Sequence, residues 1–263
     1  MGPVGEWVSI CDMRWLIAIL IFVSPVAMAD EETYRIAFTE GRYDDAASVA
    51  ERSSTPDNLA FAARSRLAEA MSASDFIPPA ELILEAETLT RAALADDPQH
   101  VEARLQLAIA LSLKTRPMTN RQAMRAGYGE EAKDLVESVL EDDPGNTYAH
   151  GFLSVWHVEV RRRGGAIGAS VMGASVKKAR RHYQTAITMT PDEASVHWQY
   201  ARALAALNAK KFRTEIEMAL DAAINCNADS SLEGVMQDRA EILQSALNTQ
   251  TRSATERLAA DML

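Results

Sequence analysis

Cysteine is nearly absent from this chain: of 263 residues only Cys11 and Cys226 carry a thiol. Cys11 falls in an expected leader, so Cys226 would stand alone and no intramolecular disulfide could staple the fold. Aromatic side chains make up only 6 % of the sequence, and basic residues are outnumbered 27 to 37, for a net charge of −10. An acidic chain without basic and aromatic interleaving argues against nucleic acid as a partner. Catalytic and metal-binding signatures are also missing, with no HExxH, no paired CxxC, no GxxxxGK[ST] and no GxSxG. The glycine-rich GGAIGASVMGAS spaces its residues one too widely for a nucleophile elbow and reads as a connector. The five histidines are scattered. His150 and His157 are seven apart beside Trp156, and with no third ligand at hand they read as packing residues. Enzyme, metal and cofactor functions are therefore not expected, and Cys226, with no adjacent base, reads as an idle thiol.

Long apolar runs are limited to one. Leu16 to Val23 follows Arg14 and precedes the small-x-small site Ala27-Met28-Ala29, the pattern of an export signal cleaved after Ala29, with Met13 an alternative start. The run is shorter than the roughly 20 residues of a membrane span, so an uncleaved anchor is the weaker alternative. The expected organisation is a signal at 1–29, a repeat domain at 30–250 and a polar tail at 251–263 that frays or forms a short helix. The mature protein would be periplasmic or secreted.

What the chain does have is a recurring stop. ALADDP ends at Pro98, SVLEDDP at Pro144 and TAITMTP at Pro191, 46 and 47 residues apart, each followed by a fresh apolar-periodic stretch. Ala86, Ala132 and Ala179 all lie twelve residues before their proline, and Ala93, Val139 and Ala186 five before. These positions mark the buried face of a second helix, and small residues allow close crossing. First helices are expected at Val101 to Leu113, Thr147 to Val160 and Ala194 to Leu207. Tyr34 to Arg52 forms an earlier pair, Asn58 to Ala73 a further first helix, Phe212 to Asn225 a second helix, and Leu232 to Leu247 a closing helix capped by Asp229-Ser230-Ser231.

The pattern resembles the tetratricopeptide repeat (TPR). Ala108 and Ala201 fit its small first-helix position, Ser154 fits less well, and Tyr183 fits its second-helix aromatic. GRYDDA from Gly41 and GYGEEA from Gly127 look like its inter-helix turn. Each unit carries a surplus of 12 or 13 residues over the usual 34, placed at Lys114 to Ala126 and Arg161 to Ser175. A HEAT-type array, with a period of about 40 to 47 residues, is the alternative. The Trp156-His157 segment with its long inter-helix insert is more distantly similar to regulator-of-microtubule-dynamics-type proteins. The resemblance implies an all-α, right-handed solenoid of antiparallel helix pairs with a C-terminal capping helix.

It also implies a concave groove lined by first helices. Carried onto this sequence, the lining is Glu102, Leu105, Gln106 and Ile109; Tyr148, Gly151, Phe152, Val155 and Glu159; and Ser195, Trp198, Gln199 and Arg202. Such a surface suits a protein or peptide partner, with Tyr148 and Trp198 as anchors. A second candidate surface is basic. Arg161, Arg162, Arg163, Lys177, Lys178, Arg180 and Arg181 occur between Val160 and Thr190 with no acid among them, which points to an anionic membrane surface or an acidic partner. The competing reading is of helix-end caps on a solvated face.

Overall fold

In a computed structural model, residues 25–263 are described, with side chains from Asp30, so the expected signal at 1–29 lies almost wholly outside the described residues. The described chain is a run of helices: α1 (Pro25–Thr39), α2 (Tyr43–Ala50), α3 (Pro56–Met71), α4 (Ala80–Asp96), α5 (Val101–Thr115), α6 (Asn120–Ala126), α7 (Tyr128–Asp142), α8 (Thr147–Val171), α9 (Val176–Met189), α10 (Ala194–Asn208), α11 (Arg213–Asn225), α12 (Ser231–Thr249) and α13 (Arg252–Asp261). Successive pairs α1/α2, α3/α4, α5/α7, α8/α9 and α10/α11 stack side by side as a solenoid. None of these helices is long and apolar enough to cross a membrane.

The recurrent proline stop has one physical form. A residue before proline is barred from the helical region, and the three that end α4, α7 and α9 share one extended conformation: Asp97 at φ −132°, ψ 92°, Asp143 at −133°, 87° and Thr190 at −137°, 88°. In two of the three units the next helix starts on a side-chain cap three residues later, Asn146 accepting from the Ala149 N–H and His100 from that of Ala103, while Glu193 before α10 makes no such bond. All six phase-matched positions, Ala86, Ala93, Ala132, Val139, Ala179 and Ala186, are fully buried.

The surplus residues sit where expected and are themselves helical. The first insert forms α6, opened by a capping box between Thr119 and Gln122. The second extends α8 to Val171, six residues past a break at Gly165 (φ 63°, ψ −158°), so the expected connector is a helix turned aside by one glycine.

Of its two expected forms, the polar tail takes the short helix. Thr251 caps α13, Ala259 and Met262 are buried in the core around α10, and Leu263 is buried in that of α3, α4 and α5. Its apolar side chains follow helical spacing, which outweighs its polar composition. The two ends of the solenoid also meet. The Ser231 hydroxyl donates to the Thr39 carbonyl at 3.2 Å, and the Arg239 guanidinium on α12 reaches the Met71 and Ala73 carbonyls at 2.6 and 2.9 Å.

Candidate functional site

Because first helices face inward and the ends touch, the concave side is a partly enclosed cavity of about 2200 Å³. Its wall includes Glu102, Leu105, Gln106 and Ile109 on α5, Tyr148, Gly151, Phe152, Val155 and Glu159 on α8, and Ser195, Gln199 and Arg202 on α10. Trp198 is not on that wall. It is fully buried, with its indole N–H donating to the Leu263 carbonyl at 2.9 Å. The register was read correctly, but α13 lies across this part of α10 and covers the ring. Tyr148 remains 50 % exposed, and its hydroxyl donates to Glu193 at 2.9 Å.

Two charged ends flank an apolar middle. At one, Glu193 accepts from Tyr148 and Ser195, and Glu102 accepts from Gln106 with Arg64 at 3.8 Å. Burial, then the Glu193 charge, pushes the Tyr148 phenol well above its usual range. At the other, Glu159 is clasped by Arg162 at 2.7 Å and Arg202 at 3.3 Å. Burial alone would raise this carboxyl, but Arg202 and Arg162 outweigh it and hold it low. Arg116 donates to the Ala260, Asp261 and Met262 carbonyls at 2.9 to 3.0 Å, the negative end of α13. Burial, and then Arg202, lowers its pKa to about 10. Between these ends lie Leu105, Ile109, Phe152 and Val155.

The basic segment is not one free patch. Arg162 belongs to Glu159, Arg163 donates to the Thr115 and Met118 carbonyls at 2.9 and 2.6 Å, and Arg180 pairs with Glu215 at 2.9 Å. Lys178 donates to Gly173, at the end of the insert, while Arg161, Lys177 and Arg181 form no ion pair among the described residues. The segment holds no acid of its own, so Arg162 pairs one turn back on α8 and Arg180 reaches across to α11.

The histidines have a role that their seven-residue spacing hid. His150 and His197 each lie six residues after a repeat proline, and each puts Nε2 on that proline's carbonyl, Pro144 at 3.0 Å and Pro191 at 2.9 Å. Nε2 therefore donates, and Nδ1 is left to accept from His182 at 2.8 Å in one unit and from the Tyr183 hydroxyl at 2.7 Å in the other. The readable signal was proline to histidine, not histidine to histidine. His157, buried against Trp156 and His182, has an Nδ1 without a partner; burial, then His182, lowers its pKa to about 4. Cys226 donates weakly to the Ala222 carbonyl, and burial, then Asp192, pushes its thiol up to about 12.

No protein-family model matches the chain, and no curated protein matches it in sequence. Among solved structures, a thermophilic TPR protein of Thermus thermophilus is similar over 82 % of this chain and 96 % of its own, with a TM-score of 0.55 and 17 % identity. At that identity the likeness is one of fold, and it makes the chain an all-α solenoid of TPR type.

Proposed function

We propose that this protein is an exported scaffold that binds a peptide segment of a protein partner inside its concave cavity. The carrying observation is the apolar wall of Leu105, Ile109, Phe152 and Val155 in a space of about 2200 Å³. That volume exceeds the several hundred Å³ of a small-molecule pocket. It suits a peptide that anchors apolar side chains in the middle and meets Glu102 and Glu193 at one end. Tyr148 is the exposed aromatic anchor. Export rests on the Leu16 to Val23 run and the Ala27-Met28-Ala29 site, and N-terminal sequencing of the mature protein should begin at Asp30.

A photo-crosslinking residue placed at Val155 tests the cavity reading, with Met218 on the outer face of α11 as the control position. Binding in the cavity gives a defined adduct at 155, absent at 218 and lost on Phe152→Glu, with little change in 0.5 M salt. Equal labelling at both positions would sink the proposal.

A further inference from the structure

The two inserts meet, through residues 43 apart in sequence. The Asn120 amide donates to the Arg163 carbonyl at 2.7 Å, the Arg163 guanidinium returns to Asn120 at 3.3 Å, and the Trp156 indole donates to the Gly129 carbonyl at 2.8 Å. At this junction, on the rim of the cavity, large aliphatic side chains are exposed: Met124 on α6 is 77 % exposed, and beyond the Gly165 break Ile167 and Val171 are 81 % and 77 % exposed. Ile167 and Val171 are four apart and share one helix face. Apolar residues left this open in a well-packed protein mark a contact surface.

The charge around them is one-sided. From Lys114 to Gly129 and from Val160 to Thr190 there is no acid, in a chain of net charge −10. Arg121 and Arg125 flank Met124 on α6, and Lys177 and Lys178 open α9 just after the second insert. All four are exposed, and among the described residues none pairs with a carboxylate. These exposed aliphatics belong to the same inserts as cations that no carboxylate neutralises among the described residues. They match what a peripheral protein places on an anionic bilayer, apolar tips entering the headgroup region and cations resting on the phosphates.

We propose that the paired inserts form a membrane-docking tip for anionic lipid surfaces on the rim of the cavity. The test uses the full chain with Cys11→Ser and Cys226→Ser and a polarity-sensitive fluorophore on Ile167→Cys, or on Met218→Cys as the control. Vesicles containing about 30 % phosphatidylglycerol should blue-shift the label at 167 and raise its intensity several-fold. Pure phosphatidylcholine vesicles or 0.5 M salt should abolish the change, and the label at 218 should stay water-like. Replacing Arg121, Arg125, Lys177 and Lys178 with Glu should weaken the response at least tenfold. An unmoved label at 167 overturns the proposal. So does an equal shift at 218, which would mean adhesion through the apolar N-terminal run. A shift at 167 that grows with protein concentration in the absence of vesicles would assign the tip to a second copy of the chain and equally overturn it.

Discussion

At the scale of single residues, Trp198 separates phase from environment. Helical spacing put it on the inner face of α10, and it is on that face, yet a segment more than fifty residues downstream lies over it. No local pattern announces such a cover. Trp198→Ala should therefore act on stability, costing about 3–5 kcal/mol through the cavity it leaves. Trp198→Phe, which loses mainly the bond to Leu263, should cost about 1 kcal/mol, and urea unfolding of both variants measures the contrast. The histidines between α8 and α9 supply a pH dependence. His157 and His182 both titrate near 4, His157 through burial and then His182, and His182 through burial and then His150. Lys178 and Arg181 reinforce the shift in both, and Glu137 opposes it at His182. Unfolded histidine titrates near 6.5, so between pH 6.5 and about 4 the unfolded chain binds more protons than the folded one. Stability should be full above 6.5 and fall progressively to about pH 4. His157→Leu should flatten that slope in unfolding curves recorded at pH 7, 5.5 and 4.5, whereas an unchanged slope would clear the cluster of the role.

At the scale of elements, most of the fold was readable, because each helix boundary is set by its neighbours in sequence. The residue before each repeat proline must leave the helix, Ser and Thr caps start several of the others, and small residues at fixed distances from the proline are the crossing points. The inserts were located but not shaped. GGAIGASV lacks the apolar periodicity of an amphipathic helix, and its direction depends on Gly165, whose backbone (φ 63°, ψ −158°) is open almost only to glycine. Gly168 in the same insert has ordinary helical geometry and open space around its Cα. Gly165→Ala should cost about 1–3 kcal/mol. Gly168→Ala should be neutral or stabilising by up to about 1 kcal/mol. Thermal unfolding of this pair shows whether the break is a requirement of the fold, and equal effects would say that it is not.

At the scale of the whole molecule, the concave lining was legible except at Trp198, but the closure of the solenoid was not. Closure depends on contacts such as that of Arg239 with Met71, made between residues 168 apart and specified by no repeat phase. Arg239 is buried and also donates to the Leu263 carbonyl, while its guanidinium lies 5.2 Å from the Phe76 ring. Its pKa is lowered by burial, so the charge is held by carbonyl dipoles and an aromatic face in place of a carboxylate. One side chain thus joins the loop after α3, the closing helix α12 and the end of the chain. Arg239→Lys keeps the charge but cannot span carbonyls on two sides. With this link cut, the first and last units should part while each helix pair, held by its own buried alanines and leucines, stays folded. Spin labels at Ile36 on α1 and Ile242 on α12, both half-exposed, should report a narrow distance distribution in the parent chain and a broader, longer one in the variant. Circular dichroism should change little between the two. A distribution that stays narrow would assign closure to apolar contacts such as Leu232 with the first helix pair, and leave Arg239 to anchor the C-terminal segment alone.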